Sequence, residues 1–147
     1  MHYLPVLICG STLAASWWLA RTPLLVPLVY LCFSLLAMLF YWRDKSAARR
    51  GDWRTPETTL HLLGLLGGWP GAILAQQWFR HKTSKTSFRL VFWCTVLANS
   101  ALLVWLHTSH GARYLNELLF RAEALLLASP LSGSAREGLL QVLAYRS

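Results

Sequence analysis

The chain has 147 residues, of which 55% are hydrophobic and only 14% are charged. Soluble domains usually carry about a quarter charged residues, so this balance places the chain in the membrane class, and its length is that of one domain. Nine Lys and Arg residues but only three acidic residues lie between Arg43 and Arg89, so six of the eight net positive charges fall there. This is typical of cytoplasmic loops that face anionic headgroups and needs no nucleic-acid partner.

The first two apolar runs, residues 4–20 and 24–42, predict membrane-spanning helices. The loop between them offers only Arg21, whereas Arg43 begins a strongly basic loop after the second run. Positively charged loops remain in the cytoplasm, so Arg43 is expected there. The N-terminus is then also cytoplasmic.

The third apolar segment, residues 56–79, is broken near its centre by the turn-forming sequence GGWPG, and two interpretations stay open. Gly67, Gly68, Pro70 and Gly71 can form the tip of a re-entrant hairpin, which keeps the basic loops on both sides cytoplasmic. Alternatively, GxxxG spacing and a proline kink fit a fourth, bent span packed closely on its neighbours. We favour the hairpin, because the broken centre and the flanking charges both point to it.

A further span is predicted over residues 90–107, where Asn99 is expected to hydrogen-bond between helices. Apolar residues then recur at helical spacing after residue 111, which predicts an amphipathic tail helix. We therefore expect an all-α integral membrane protein with a membrane domain (1–110) and an amphipathic C-terminal tail (111–147). The three spans and the broken segment make up the membrane domain.

Polar residues gather near one predicted membrane face and form two groups. A structural ion-pair network is expected from Asp44, Lys45, Arg54, Glu57 and His61. Cations without a neighbouring acid suit an anion such as a lipid phosphate, and this group comprises Arg80, His81, Lys82 and Lys85. Juxtamembrane cations also commonly serve topology alone, so both roles remain open.

Catalytic and metal-binding signatures are lacking. The sequence contains no HExxH, GxSxG, P-loop or Rossmann glycine pattern, and the histidines have no plausible metal-ligand spacing. The three cysteines lie inside apolar runs without CxxC spacing, so they are interpreted as packing residues. We expect no cofactor, no metal, no catalytic residue and no nucleic-acid partner.

Several motifs, taken in order, resemble one bacterial family. They are Asp44-Lys45, then Arg54-x-Pro56-Glu57-x-x-Leu60-His61, then Gly67-Gly68-x-x-Gly71-Ala72, then Arg80-His81-Lys82-Thr83-x-Lys85-x-x-Phe88. This pattern closely resembles the Domain of Unknown Function 1294 family of small membrane proteins over roughly residues 41–105. The resemblance implies a bacterial inner-membrane location but no activity. Some members carry a cold-shock domain where this chain has an apolar helix, so no nucleic-acid role is carried over.

Three functional hypotheses follow from these features. The first is a small inner-membrane protein whose cytoplasmic basic face binds anionic lipid headgroups or a protein partner. The second is a homo-oligomeric channel or transporter subunit built on the re-entrant segment. The third is a membrane enzyme acting on lipid-linked phosphate through Glu57, His61 or His81.

Overall fold

The computed structural model describes residues 3–79, 85–129 and 133–144, and every regular element in these ranges is helical. The predicted all-helical class is confirmed. A π-helical turn over Gly64–Gly68 joins the third and fourth α-helices. The α-helices in chain order are α1 (Leu4–Trp18), α2 (Leu25–Arg50), α3 (Glu57–Leu63), α4 (Trp69–Phe79), α5 (Thr86–Leu106), α6 (Ser109–Ala128) and α7 (Gly133–Leu143).

Within the described ranges, three helical stretches are long and apolar enough to cross a membrane, judged by length and composition: Leu25–Arg50, Glu57–Phe79 and Thr86–Leu106. Helix α1 is apolar but has only 15 residues, so the helix is shorter than the spanning helix that the sequence predicts over residues 4–20. The helix ends at Trp18 because the chain turns at Ala20, which has a positive φ of 52°.

The chain folds as two compact units. Unit 1 comprises residues 1–11 and 28–100, and unit 2 comprises residues 12–27 and 101–147.

Helix α2 extends well beyond the apolar run that predicted it. The sequence predicted a basic loop from Arg43, but the helix continues to Arg50, since Ala, Lys and Arg are good helix formers. It ends at Gly51, which has a φ of 73°, and the amide of Asp52 donates to the carbonyl of Ala47 at 3.0 Å. This is the hydrogen bond of a Schellman C-cap.

The third apolar segment is interrupted where the sequence predicted a break. Gly67 has φ 105° and ψ 0°, outside the helical region, so α3 and α4 are separate helices joined at a kink. A residue with a side chain rarely adopts such a positive φ. Half of the apolar stretch within residues 57–79 is buried inside the protein, compared with 17% and 22% for the other two apolar stretches.

Hydrogen bonds place both ends of this segment beside the C-terminal part of α2. The amide of Thr55 donates to the Asp44 carboxylate at 3.0 Å, and the Lys45 ammonium donates to the carbonyl of Phe79. A straight 23-residue helix would be about 35 Å long, too long for its two ends to meet consecutive residues of α2. The chain therefore turns back at Gly67.

Helix α4 packs on α2 with very little space between the two backbones. A Cβ added at Gly68 or Gly71 would overlap the backbone carbonyls of Phe33 and Ser34. The amide of Gly71 also donates to the Ser34 hydroxyl at 3.3 Å. Small residues at such positions allow the dense helix packing on which membrane proteins rely.

Unit 2 contains the amphipathic tail helices α6 and α7. Thr108 caps the start of α6, where its hydroxyl accepts from the amide of Gly111 at 3.2 Å. The Ser16 hydroxyl and the His107 Nε2 are 2.7 Å apart, and the other ring nitrogen lies 2.8 Å from the carbonyl of Leu103. An apolar groove of about 330 Å³ runs between Leu25 and residues of α6 and α7.

Replacing Gly71 by Ala should destabilise the protein by about 1–3 kcal/mol, because the new methyl group would overlap the backbone of α2. Gly10→Ala is the matched control, since a Cβ there meets nothing within 4 Å. It should be neutral or stabilise the protein slightly, as Ala favours helix. Thermal unfolding in mild detergent measures both, and equal melting temperatures for the two variants would contradict the close contact.

Candidate functional site

A fully buried carboxylate anchors the polar end of unit 1. Asp44 lies in the last part of α2 and has no exposed surface, and it accepts the hydrogen bond from the Thr55 amide. A buried charge is costly unless hydrogen bonds and ion pairs compensate it. Asp44 thus holds the start of the α3 segment against α2.

Two further contacts hold the end of α4 at the same place. Lys45 donates to the Phe79 carbonyl, which is one of the carbonyls left unpaired at the C-terminus of a helix. One turn earlier on each helix, the Gln76 amide donates to the Tyr41 hydroxyl at 3.0 Å, and Tyr41 is completely buried. The positive side chain of Lys45 also suits the negative end of the α4 dipole.

The start of α3 pairs with the start of α5. Both carboxylate oxygens of Glu57 accept from the Lys85 ammonium, at 3.0 and 2.9 Å. One turn further on, the ring of His61 stacks against that of Phe88 with centroids 4.4 Å apart. Lys85, predicted to bind anions, therefore already shares its charge with a carboxylate.

The remaining predicted site residues divide into two groups. Arg54 is exposed, as are four other arginines at this end of the unit, Arg43, Arg49, Arg50 and Arg89. Arg80, His81 and Lys82, the other anion-binding candidates, lie outside the described residues. The structure thus brings together Asp44, Lys45, Glu57, His61 and Lys85 at one end, with exposed arginines around them.

The glycine elbow, residues 67–71, lies at a second polar position, around a buried asparagine on α5. The Asn99 side-chain oxygen accepts from the Tyr30 hydroxyl at 2.5 Å and from the Trp69 indole at 3.0 Å. Its amide donates to the carbonyl of Leu65 at 2.7 Å. Asn99 therefore joins α2, α4 and the π-helical turn, as expected for a polar residue within an apolar helix.

The acidic groups near the end of α2 are paired, and the arginines around them are exposed. The paired acids are Asp44, Asp52 and Glu57. Within residues 3–79, 85–129 and 133–144, no group of three or more His, Cys, Asp or Glu side chains could hold a metal ion. Of the three cysteines, which the sequence predicts to be packing residues, Cys9 is buried, whereas Cys32 and Cys94 are exposed.

Over the residues that the structure describes, these features define a helical protein with three stretches long and apolar enough to cross a membrane and with exposed arginines near the end of α2. Residues 34–88 match the model of the family described as Protein of unknown function (DUF1294), in agreement with the resemblance found in the sequence. The match contains the C-terminal part of α2, the glycine elbow and the residues paired across the polar end. No curated protein and no solved structure matches the chain.

Asp44→Ala should lower the free energy of unfolding by about 1–3 kcal/mol, since the Thr55 amide loses its acceptor in a buried place. Asp52→Ala is the control, because its ion pair with Arg50 is exposed and should be worth less than about 1 kcal/mol. Denaturant unfolding in detergent measures both values. Equal losses would show that Asp44 does not anchor the segment.

Proposed function

We propose that this protein is an integral protein of the bacterial inner membrane whose cytoplasmic basic face binds anionic lipid headgroups. The single observation that carries this proposal is the concentration of exposed arginines at one end of helices whose sides expose large apolar residues. Leu35, Leu39, Leu97 and Val104 are between 46% and 69% exposed. Apolar surface of this kind needs a lipid or protein covering.

The arrangement of the third apolar segment supports a re-entrant hairpin within that membrane. Because Thr55 and Phe79 both contact the end of α2, the loops on either side of the segment start from the same end of unit 1. A hairpin therefore keeps both basic loops cytoplasmic, in agreement with the positive-inside rule. The buried elbow fits the requirement that irregular backbone at membrane depth be enclosed by protein.

The hairpin predicts that α2 and α5 cross the membrane in opposite directions and that the C-terminal tail is periplasmic. Alkaline phosphatase fused after Ser147 should be active, and a fluorescent reporter that matures only in the cytoplasm should be dark. The same reporters inserted after Gly51 should behave in the opposite way. A cytoplasmic tail in a chain whose Gly51 is also cytoplasmic would overturn the hairpin.

Lipid binding is tested by native mass spectrometry of the protein released from anionic nanodiscs. Arg80→Ala/Lys82→Ala should retain several-fold less phosphatidylglycerol than wild type, because the basic sequence between the third apolar segment and α5 loses two of the cations that the proposal assigns to anionic headgroups. Lys85 is left in place, since it pairs with Glu57. Arg113→Ala/Arg121→Ala removes the same charge from α6 and should leave retention unchanged. Equal retention by all three proteins would contradict the proposal.

A further inference from the structure

A cleft at the end of α2 combines two arginines with two exposed tryptophans. It has a volume of about 310 Å³ and lies wholly within unit 1. The side chains that line it and matter here are Trp42, Arg43, Ser46, Arg50, Asp52 and Trp53. The volume suits a small headgroup but leaves no room for acyl chains.

The two arginines supply the chemistry expected for a phosphate. Arg43, Ser46 and Arg50 recur at intervals of three and four residues, so they lie on one face of α2. Two guanidinium groups and a hydroxyl between them can donate several hydrogen bonds to phosphate oxygens. Arg50 pairs with Asp52 at 2.6 Å, but both side chains are more than half exposed, so a phosphate can compete with this carboxylate.

The tryptophans and an apolar stripe connect the cleft to lipid. Trp53 is 92% exposed and Trp42 is 54% exposed, and tryptophan concentrates where membrane and water meet. Leu31, Leu35 and Leu39 are all exposed and precede Trp42 at helical spacing, so one face of α2 is apolar up to the cleft. A lipid can therefore place its phosphate between the arginines while its chains follow the leucines.

We infer that this cleft is a specific site for one phosphate-bearing lipid, with Arg43, Ser46 and Arg50 holding the headgroup phosphate and Trp42 and Trp53 bordering it. The site depends on the proposed membrane location of α2. The cleft differs from the proposed basic face in one respect. The cleft would hold one lipid at defined residues, whereas the basic face would attract anionic lipids by charge alone. The Asp52 carboxylate competes with the lipid phosphate for Arg50.

Native mass spectrometry of the detergent-solubilised full chain, titrated with phosphatidylglycerol, tests this site. Arg43→Gln/Arg50→Gln should reduce the first bound lipid at least fivefold. The matched control Arg49→Gln/Arg54→Gln removes the same charge from exposed arginines that do not line the cleft. It should change the occupancy of the first bound lipid less than twofold, whereas the later lipids, which the basic face attracts by charge alone, should decrease. Asp52→Asn should increase binding, because it removes the carboxylate that competes for Arg50.

The outcomes separate the site from the general basic face. Equal losses in the two double variants would overturn the cleft and leave the proposed function standing, whereas no loss in either would count against both. Diacylglycerol has the same acyl chains but no phosphate, so it should not replace phosphatidylglycerol as the first bound lipid. If millimolar glycerol phosphate displaced the lipid, the cleft would be a site for a soluble phosphate ester, and the proposal of a lipid site would be wrong. Circular dichroism checks that the variants remain helical.

Discussion

The close approach of the glycine elbow to α2 determines where the polar groups of unit 1 lie. At Gly68 and Gly71, backbone carbonyls of α2 occupy the space that a Cβ atom would need. Helix α4 can therefore run along α2 with the two backbones in direct contact. Gly67 provides the positive φ that turns the chain back towards its entry point. With any larger residues there, α4 would be pushed away and Phe79 could not reach Lys45.

That packing gives α2 an inner face with polar groups at regular intervals. Tyr30, Ser34, Tyr41 and Asp44 follow one another at spacings of four, seven and three residues and bond respectively to Asn99, Gly71, Gln76 and Thr55. Such hydrogen bonds between membrane helices are worth about 1 kcal/mol each, so their value lies as much in fixing register as in stability. The opposite face of α2 is left to apolar side chains.

Hydropathy and turn chemistry predicted most of the helices, because apolar runs and the GGWPG sequence are local signals. Contacts between distant residues could not be predicted in this way. The sequence places Lys85 in an anion site because no acid lies near it along the chain, yet its partner Glu57 is 28 residues away. The extension of α2 to Arg50 could not be predicted from hydropathy, because a basic stretch after an apolar run indicates a loop, although Lys and Arg favour helix.

The extension of α2 gives this helix two chemically different parts. Its apolar part exposes leucines, and its final segment from Arg43 to Arg50 carries four basic residues. Because Asp44 is buried and the arginines beside it are exposed, the negative charge stabilises the fold while the positive charges face outward. A surface of this kind can attract anionic headgroups without weakening the packing beneath it.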